Sequence, residues 1–401
     1  MNIVFDEETK AEKRKQLLKE CTKKIVPVGL VVLLTLILII LIPLELSRRN
    51  SASEEKLYHQ KLVGRINALN TTWTARLNPD ATRGEHGELP RRKFLFYTRN
   101  PGGRALYKIP NKDDVRLALN QSAEHQSLLA QLSDQMPERF DSREKWPHCS
   151  NIGRSLNQGA CGSCWAVAAV SVMSDRICIA SNMTKQVDLS AEDLVACCED
   201  CGGCGGIDHG LKAFIYWQKN GIVTGGPFKS NEGCLPYEHN NDCGAPCKHY
   251  SDSQTPSQQL DESKAVLLQK SCNNTASDTC SKGLATEMLE SYRKNHSQLN
   301  AIEKVKKEIF HFGPVFLCFL MHDDLPHYKS GVYYPVNDTQ IVYGHCVKLI
   351  GWNTDPAIDP ELHHWIIVNS WGRDWGEKGI FKLKLTELPW PEEILAGLPR
   401  I

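Results

Sequence analysis

The chain has 401 residues, enough for two or three domains, and 41% of them are hydrophobic, so it can bury a sizeable core and its composition excludes a wholly disordered protein. Lysine plus arginine equals aspartate plus glutamate at 47 each, a balance that gives no support for a nucleic-acid partner or an acidic substrate. Sixteen cysteines require either an oxidising compartment or bound metal.

The first element along the chain is an apolar stretch over residues 25–44, which contains no charged residue. A helix of this length spans a hydrocarbon core of roughly 30 Å. Seven Lys or Arg residues precede the stretch, against Arg48 and Arg49 just beyond it, so the positive-inside rule places the N-terminus in the cytoplasm. We predict a cytoplasmic tail over residues 1–24 and an uncleaved type II transmembrane signal anchor over residues 25–44, with a cleaved signal peptide as the alternative.

Six Asn-x-Ser/Thr sequons follow this stretch, all on the side predicted to be luminal or extracellular. They are Asn70, Asn120, Asn182, Asn273, Asn295 and Asn337. Their placement favours N-glycosylation. In such a compartment disulfides, rather than metal, are the expected use of the cysteines.

Residues 45–135 are interpreted as a stem and pro-segment, charged and helix-prone at first, and they contain no cysteine. The change to cysteine-rich sequence marks a boundary, so we predict a separate domain over residues 136–401. Basic clusters at residues 91–93 and 99–104 are interpreted as solvated patches, with cleavage-prone linkers as the alternative.

Near the start of this domain, Gln158 lies six positions before Cys164, and Trp165 follows the cysteine directly. Apolar residues then recur at spacings of three and four, which predicts a helix from Cys164 to about Ala180 with one buried face. A cysteine at a helix N-terminus feels the positive end of the helix dipole. The position therefore predicts a lowered thiol pKa and a nucleophilic thiolate.

Four closely spaced cysteines come next, and their spacing superficially resembles a zinc ligand set. They are Cys197, Cys198, Cys201 and Cys204. Disulfides explain them better in the predicted compartment, and we expect neither a metal nor an organic cofactor.

After about residue 313, short apolar runs separated by turn residues predict strands. The runs are Val315–Phe319, Val347–Ile350, Ile366–Val368 and Ile380–Leu383. His345 and Asn369 each lie beside one of these runs, far downstream of Cys164. They are candidates for the base that activates the thiol and for the amide that orients the base.

The order Gln158, Cys164, His345 and Asn369 resembles that of papain-like cysteine proteases, and further stretches narrow the resemblance to the cathepsin B branch. Those stretches are residues 139–147, 174–179, 189–194, 329–333 and 396–400. The resemblance implies an α+β, papain-like two-domain fold. A helical left domain would carry Cys164, a β-barrel-like right domain would carry His345 and Asn369, and the active-site cleft would lie between them.

The resemblance also implies roles for the site residues. Cys164 would attack the substrate carbonyl and form a thioester acyl-enzyme, while His345 would act as general base and then general acid. Asn369 would orient the imidazole, and Trp371 would shield that hydrogen bond from water. The Gln158 amide and the Cys164 backbone N–H would stabilise the oxyanion.

Substrate-binding roles are implied for Gly205 and Gly206, although their spacing from the cysteine cluster is apparently one residue shorter than usual. Trp371 is included with them, and Glu393 is assigned to the floor of the second specificity pocket, with Glu392 as a competitor. The implied disulfides are Cys149–Cys178, Cys161–Cys204 and Cys198–Cys201, whereas Cys318 and Cys346 are predicted to be free.

Residues 70–75 resemble the cathepsin B pro-segment, which lies along the cleft and inhibits the zymogen. The region from Cys234 to Cys280 has no adjacent histidine pair of the kind that binds a substrate C-terminus in cathepsin B. We therefore predict an endopeptidase acting on polypeptides in a lysosomal or endosomal lumen or outside the cell. The alternative is a catalytically silent extracellular binding or adhesion protein.

Overall fold

The computed structural model describes much of the chain after residue 126 and shorter parts before it. The described residues are 12, 14, 15, 53–78, 125, 127–159, 161–207, 209–239, 285–288, 298–387 and 393–399. Residues 1–57 and 58–401 form two separate units, and the architecture below is that of the second, apart from the first residues of helix α1.

The helices of the described part are α1 (residues 53–68), α2 (residues 127–131), α3 (Ser142–Lys145), α4 (Cys164–Ala180), α5 (Ala191–Cys197), α6 (Leu211–Asn220) and α7 (Gln298–Phe312). The strands are β1 (Trp73–Ala75), β2 (Arg139–Asp141), β3 (Ala285–Met288), β4 (Val315–His322), β5 (Tyr328–Tyr333), β6 (Ile341–Asn353), β7 (His364–Val368), β8 (Ile380–Lys384), β9 (Glu393–Leu395) and β10 (Gly397–Pro399). The predicted strand-rich second half is confirmed.

The main sheet has the order β1-β5-β8-β7-β6-β4-β9, with β2 paired to β6, and β10 pairs with β3 in a second sheet. The α+β class is confirmed, but the expected barrel-like closure of the right half is not. In the described part of the chain, the end strands β1 and β9 do not pair with each other. Short strands separated by turns occur in open and closed sheets alike, so the sequence pattern could not distinguish the two.

Two hydrophobic cores support the predicted division into a strand-rich and a helical half. The first packs the main sheet against α1 and α7 and includes Ile66, Trp73 and Trp352. The second surrounds α4 and includes Leu194 of α5 and Phe214 of α6. Each core excludes its apolar side chains from water, which is the main stabilising contribution to such a fold.

Helix α4 has the predicted bounds, Cys164–Ala180, but it is more deeply buried than its pattern indicates. Every residue from Cys164 to Val170 is buried, not only one face. Ala166, Ala168 and Ala169 have small side chains that let neighbouring elements approach from several directions. The N-terminus of α4 is therefore held in the protein interior.

Strand β1, within the stretch that resembles a pro-segment, pairs antiparallel with β5, where Trp73 is opposite Gly331. Gly331 has a φ of +99°, and a Cβ there would lie 2.4 Å from the Thr72 carbonyl oxygen, so this close approach requires glycine. The strand lies at the end of the sheet, away from β6. The resemblance of residues 70–75 to a cleft-lying pro-segment is therefore not reflected in a position beside β6, and residues 79–124 lie outside the described residues.

Among the described residues, none of the helices combines the length and the apolar character needed to cross a bilayer. The predicted anchor over residues 25–44 lies outside the described residues.

Candidate active site

Two contacts with Cys204 hold the loop of residues 158–163, which precedes α4. The Gly162 N–H donates to the Cys204 carbonyl oxygen over 3.1 Å, and a disulfide joins Cys161 to Cys204. A Cβ on Gly162 would lie only 2.4 Å from that carbonyl oxygen, so glycine is required here as well. These contacts fix the position of Cys164, the first residue of the helix.

The Cys164 side chain does not have the lowered pKa that its helix position predicts. Burial raises the pKa of the thiol to about 11, although backbone hydrogen bonds, the largest from Cys346, act to lower it. The cost of desolvating a thiolate at this buried position exceeds the stabilisation from the nearby N–H groups. In this structure the thiol therefore retains its proton at neutral pH, and a base must accept that proton before attack.

His345, on strand β6, is fully buried, and its Nε2 lies 2.7 Å from the Asn369 side-chain oxygen. That oxygen also accepts the Ser370 backbone N–H over 2.8 Å, which fixes the orientation of the amide. Because Nε2 donates to Asn369, Nδ1 is the basic nitrogen of the neutral ring. The backbone contact between Cys346 and the Cys164 thiol places the nucleophile beside the strand that carries His345.

Trp371 stacks on the His345 ring, with the ring centroids 4.7 Å apart and the planes at 25°. Its side chain is fully buried. This geometry supports the predicted shielding of the His345–Asn369 hydrogen bond from water, since an excluded solvent cannot compete for the bond.

Gln158 is also buried, and its amide is held at both ends. Its Nε2 donates to the Cys161 carbonyl oxygen over 3.0 Å, and its Oε1 accepts from the Ser370 hydroxyl over 2.6 Å. An amide nitrogen carries two protons, so the second proton can serve an oxyanion. The sequence interpretation missed Ser370, although the residue directly follows Asn369 in the chain.

Three predicted disulfides are confirmed: Cys149–Cys178, Cys161–Cys204 and Cys198–Cys201. The prediction that Cys318 and Cys346 are free is wrong, because they form a disulfide across β4 and β6 with their Cα atoms 4.0 Å apart. Only the register of these two strands brings the residues together. Cys164 is the free cysteine of the described part of the chain.

The one group of potential metal ligands found in the described residues is Cys161, Cys204 and His239. It does not suit a metal ion, because its two sulfurs are joined in a disulfide and thiolates are the form that binds metal. Cys197 is disulfide-bonded as well.

The predicted substrate-binding residues are only partly described. Gly206 has a φ of +90° and open space where a Cβ would be, and its backbone nitrogen lies 3.6 Å from the Cβ position of Gly162. Gly205 is exposed beside it. Glu393 pairs through its backbone with Cys318 of β4, but its side chain lies outside what the structure describes, as does Glu392.

The arrangement as a whole can carry out nucleophilic catalysis. A buried thiol begins a helix, an imidazole with a fixed tautomer lies on the adjoining strand, and an amide donor is fixed in the loop that leads to the thiol. These are the parts that attack on a carbonyl through a covalent intermediate requires.

Comparison with known proteins agrees with this chemistry. The profile of the papain family of cysteine proteases matches residues 136–388. A cathepsin B-like cysteine proteinase of Schistosoma japonicum is 37% identical, over 72% of this chain and 80% of that protein. Cathepsin B-like cysteine proteinase 6 of Caenorhabditis elegans is 34% identical, over 85% of this chain and 83% of that protein.

Among solved structures, procathepsin B S9 from Trypanosoma congolense is similar in fold, with a TM-score of 0.53 and 25% identity. The similarity covers 85% of this chain and 97% of that one. The chain belongs to the papain family of cysteine proteases, and it is a cathepsin B-like cysteine peptidase made as a zymogen. The alternative of a catalytically silent binding protein is not favoured.

Proposed function

We propose that the enzyme is an endopeptidase in which Cys164 is the nucleophile and His345 is the general base. The observation that carries this proposal is the 2.7 Å hydrogen bond from His345 Nε2 to Asn369, which leaves Nδ1 as the basic nitrogen beside the helix that begins at Cys164. A buried thiol with a raised pKa needs such a base.

The proposed reaction proceeds in two stages. His345 takes the thiol proton through Nδ1, and the Cys164 sulfur attacks the peptide carbonyl. The carbonyl oxygen becomes an oxyanion that accepts hydrogen bonds from Gln158 Nε2 and the Cys164 backbone N–H. His345 then gives the proton to the leaving amine, and a water molecule, activated by the same imidazole, hydrolyses the thioester.

Covalent labelling tests the assignment. We expect a peptidyl epoxide to label the activated wild-type enzyme at Cys164, because alkylation needs a nucleophilic sulfur and a substrate-like approach. Cys164→Ser should abolish both labelling and peptide hydrolysis without changing the melting temperature. Hydrolysis near the wild-type rate in Cys164→Ser would move the nucleophile elsewhere.

The preference for endopeptidase action rests on His239, one of the two isolated histidines between Cys234 and Cys280. Its Nε2 lies 3.6 Å from a carboxylate oxygen of buried Glu192, and burial lowers the pKa of the imidazole. A neutral ring beside a carboxyl group is a poor anchor for a substrate carboxylate. Slow release of dipeptides from peptides with a free C-terminus, relative to the amidated peptides, is the expected result; efficient release would contradict it.

For substrate preference, we propose that Glu393 lets the second pocket accept arginine, since a carboxylate can pair with a guanidinium through two hydrogen bonds. Gly205 and Gly206 would contact the substrate backbone. Glu393→Gln should selectively reduce cleavage of an Arg-Arg substrate relative to a Phe-Arg substrate. Equal changes for both substrates would leave Glu393 without this role.

We also propose that residues 25–44 anchor the protein as a type II membrane protein, with the catalytic domain in a lysosomal or endosomal lumen or outside the cell. The support comes from the charge-free apolar stretch and from the sequons beyond it. Three of these, Asn70, Asn182 and Asn337, have exposed side chains. Alkaline extraction of membranes should leave the chain in the pellet; release into the soluble fraction would refute the anchor.

A further inference from the structure

Tyr237 lies between the two pieces of chain that carry the proposed oxyanion donors. Its hydroxyl oxygen is 2.7 Å from the Gln158 carbonyl oxygen and 2.5 Å from the Ser163 hydroxyl oxygen. A hydroxyl carries one proton, and only Tyr237 can donate to the carbonyl. The direction of the chain of hydrogen bonds is therefore fixed: Ser163 donates to Tyr237, and Tyr237 donates to Gln158.

Ser163 departs from the usual behaviour of a serine at this position. It is the residue that precedes the first turn of α4, where a serine hydroxyl normally accepts a backbone N–H of the helix. The Ser163 side chain makes no such capping bond. Its hydroxyl is directed to Tyr237 instead, so the helix lacks the stabilising cap that a serine usually supplies.

Tyr237 is itself held firmly in the helical half of the molecule. Its backbone N–H donates to the Gly226 carbonyl oxygen over 3.0 Å, and the N–H of the next residue, Glu238, donates to the Glu192 carboxylate over 3.1 Å. The ring is buried in the second hydrophobic core. Burial also raises the pKa of the phenol, so the hydroxyl keeps its proton and remains a donor.

The two contacts of Tyr237 lie at the two ends of the loop over residues 158–163. One end carries the Gln158 amide, and the other leads directly into the Cys164 backbone N–H. Ser370 holds the Gln158 end, through its hydroxyl and its carbonyl oxygen. Tyr237 ties that end to Ser163, the residue directly before the helix.

We propose that Tyr237 is a positioning residue for the oxyanion site, which acts by fixing Gln158 and the start of α4 relative to each other. The inference rests on the proposed roles of Gln158 and Cys164. Donors aimed at a developing charge must be preorganised, and a small misplacement of a reacting group can cost about 100-fold in rate. Tyr237 does not contact the substrate in this scheme.

The test is the activated full-length enzyme carrying Tyr237→Phe, which removes one oxygen and leaves the ring in the core. We expect kcat to fall about tenfold, with KM changed less than about twofold, because the lost interaction matters in the transition state. The pH profile of iodoacetamide alkylation at Cys164 should not change, since alkylation needs the thiolate but no oxyanion donor. A residue with a merely structural role would lower both activities together, through a smaller folded fraction.

The matched control is Tyr216→Phe. The Tyr216 hydroxyl also donates to a residue of the helical half, the Asp193 carboxylate, over 3.0 Å. This variant should keep the wild-type kcat per alkylated active site. A loss of kcat equal to that of Tyr237→Phe would overturn the inference.

The double variant Gln158→Ala/Tyr237→Phe separates this inference from the proposed function. If Tyr237 acts through Gln158, the double variant should lose no more activity than Gln158→Ala alone. Fully multiplicative losses, or an unchanged kcat in Tyr237→Phe, would overturn the positioning role. An unchanged kcat in Gln158→Ala would instead refute the proposed oxyanion role of Gln158, and this inference with it.

Ser163→Ala provides a second route if Tyr237→Phe does not accumulate as a folded protein. It removes only the hydrogen bond at the helix end, so we expect a loss of about threefold in kcat with unchanged alkylation. An unchanged kcat in this variant would likewise count against the inference.

Discussion

Two fully buried histidines, in two regions of this molecule, have similar surroundings and different partners. His345, in the catalytic region, and His327, just before β5, both show no exposure to solvent. Each has Nε2 in a short hydrogen bond, 2.7 Å to the Asn369 side-chain oxygen and 2.9 Å to His59 Nδ1 respectively. Burial alone therefore does not decide what a histidine does.

The difference lies in where the partners come from. Asn369 belongs to the same catalytic domain as His345, and an amide does not titrate. Both hydrogen-bond partners of the His327 ring precede the papain-family match and lie in the predicted pro-segment: His59 of α1, and the Asn78 N–H, which donates to His327 Nδ1 over 3.1 Å. His327 therefore donates from Nε2 to His59 Nδ1. Because His327 Nδ1 and His59 Nδ1 each accept a hydrogen bond, neither nitrogen carries a proton.

We expect this arrangement to couple pro-segment docking to pH. Burial, and then the neighbouring His59, lower the pKa of His327 to about 3, whereas a free histidine has a pKa of about 6.5. Release of residues 58–78 removes His59 and the Asn78 N–H from the His327 ring, so we expect the undocked state to bind a proton more readily than the docked state. The contribution of His327 to docking is thus complete above about pH 6.5 and is lost progressively as the pH falls toward 3.

The carboxyl group of Asp324 lies in the same region, and burial raises its pKa to about 6. Its hydrogen bonds are to Tyr333 and to the Val336 N–H, both within the catalytic domain. Release of the pro-segment does not remove these partners, so Asp324 does not reproduce the pH dependence expected of His327.

The largest effect that separates the two regions is expected when each histidine is replaced by glutamine. His345→Gln should reduce kcat/KM by about 10⁴-fold or more, because no other group accepts the thiol proton. His327→Gln should leave kcat/KM of the activated enzyme unchanged within about twofold, since its partners leave with the pro-segment. Steady-state kinetics, normalised by active-site titration, measure both.

Comparable losses in the two variants would contradict the assignment of His345 alone to the reaction. Melting temperatures of the two activated enzymes provide the control for misfolding.

A smaller effect is expected for the partner of the catalytic imidazole. Asn369→Ala should lower kcat on the order of 100-fold, less than His345→Gln, because Asn369 orients the ring and takes no part in proton transfer. Asn369→Asp should change the pH profile as well, since it adds a titratable carboxyl next to the imidazole. A loss in Asn369→Ala as large as that of His345→Gln would mean that Asn369 does more than orient the ring.

The smallest effect is expected when His59, the hydrogen-bond partner of His327 on α1, is replaced. His59→Gln keeps an acceptor for His327 Nε2 but removes one proton-binding group, so the pH midpoint of self-processing should move to lower pH by roughly half a unit to one unit. The measurement is the fraction of precursor converted at a fixed time across a pH series. His322→Gln is the matched control, because His322 hydrogen-bonds to Thr339 within the catalytic domain.

An unchanged midpoint in His59→Gln, or an equal shift in His322→Gln, would show that the histidine pair does not set the pH of release. After activation, the His59→Gln and His322→Gln enzymes should have the same kcat/KM, whatever the midpoint of self-processing.

The sequence by itself determined the family and much of the local structure, and it supplied the candidate catalytic residues. The helix Cys164–Ala180 and the strands after residue 313 follow from apolar periodicity, because burial of one face imposes that period on the chain. The order Gln158, Cys164, His345 and Asn369 resembles that of the papain family, and comparison with known proteins confirms the family.

Only the tertiary structure decided what depends on which distant segments meet. The Cys318–Cys346 disulfide exists because β4 and β6 are neighbours in one register, and no pattern within either strand shows that. The raised pKa of Cys164 follows from burial by other elements, which outweighs the local helix dipole. Likewise, the partners of His327 and Tyr237 lie far away in the chain, and hydrogen bonds between distant residues are not visible in sequence spacing.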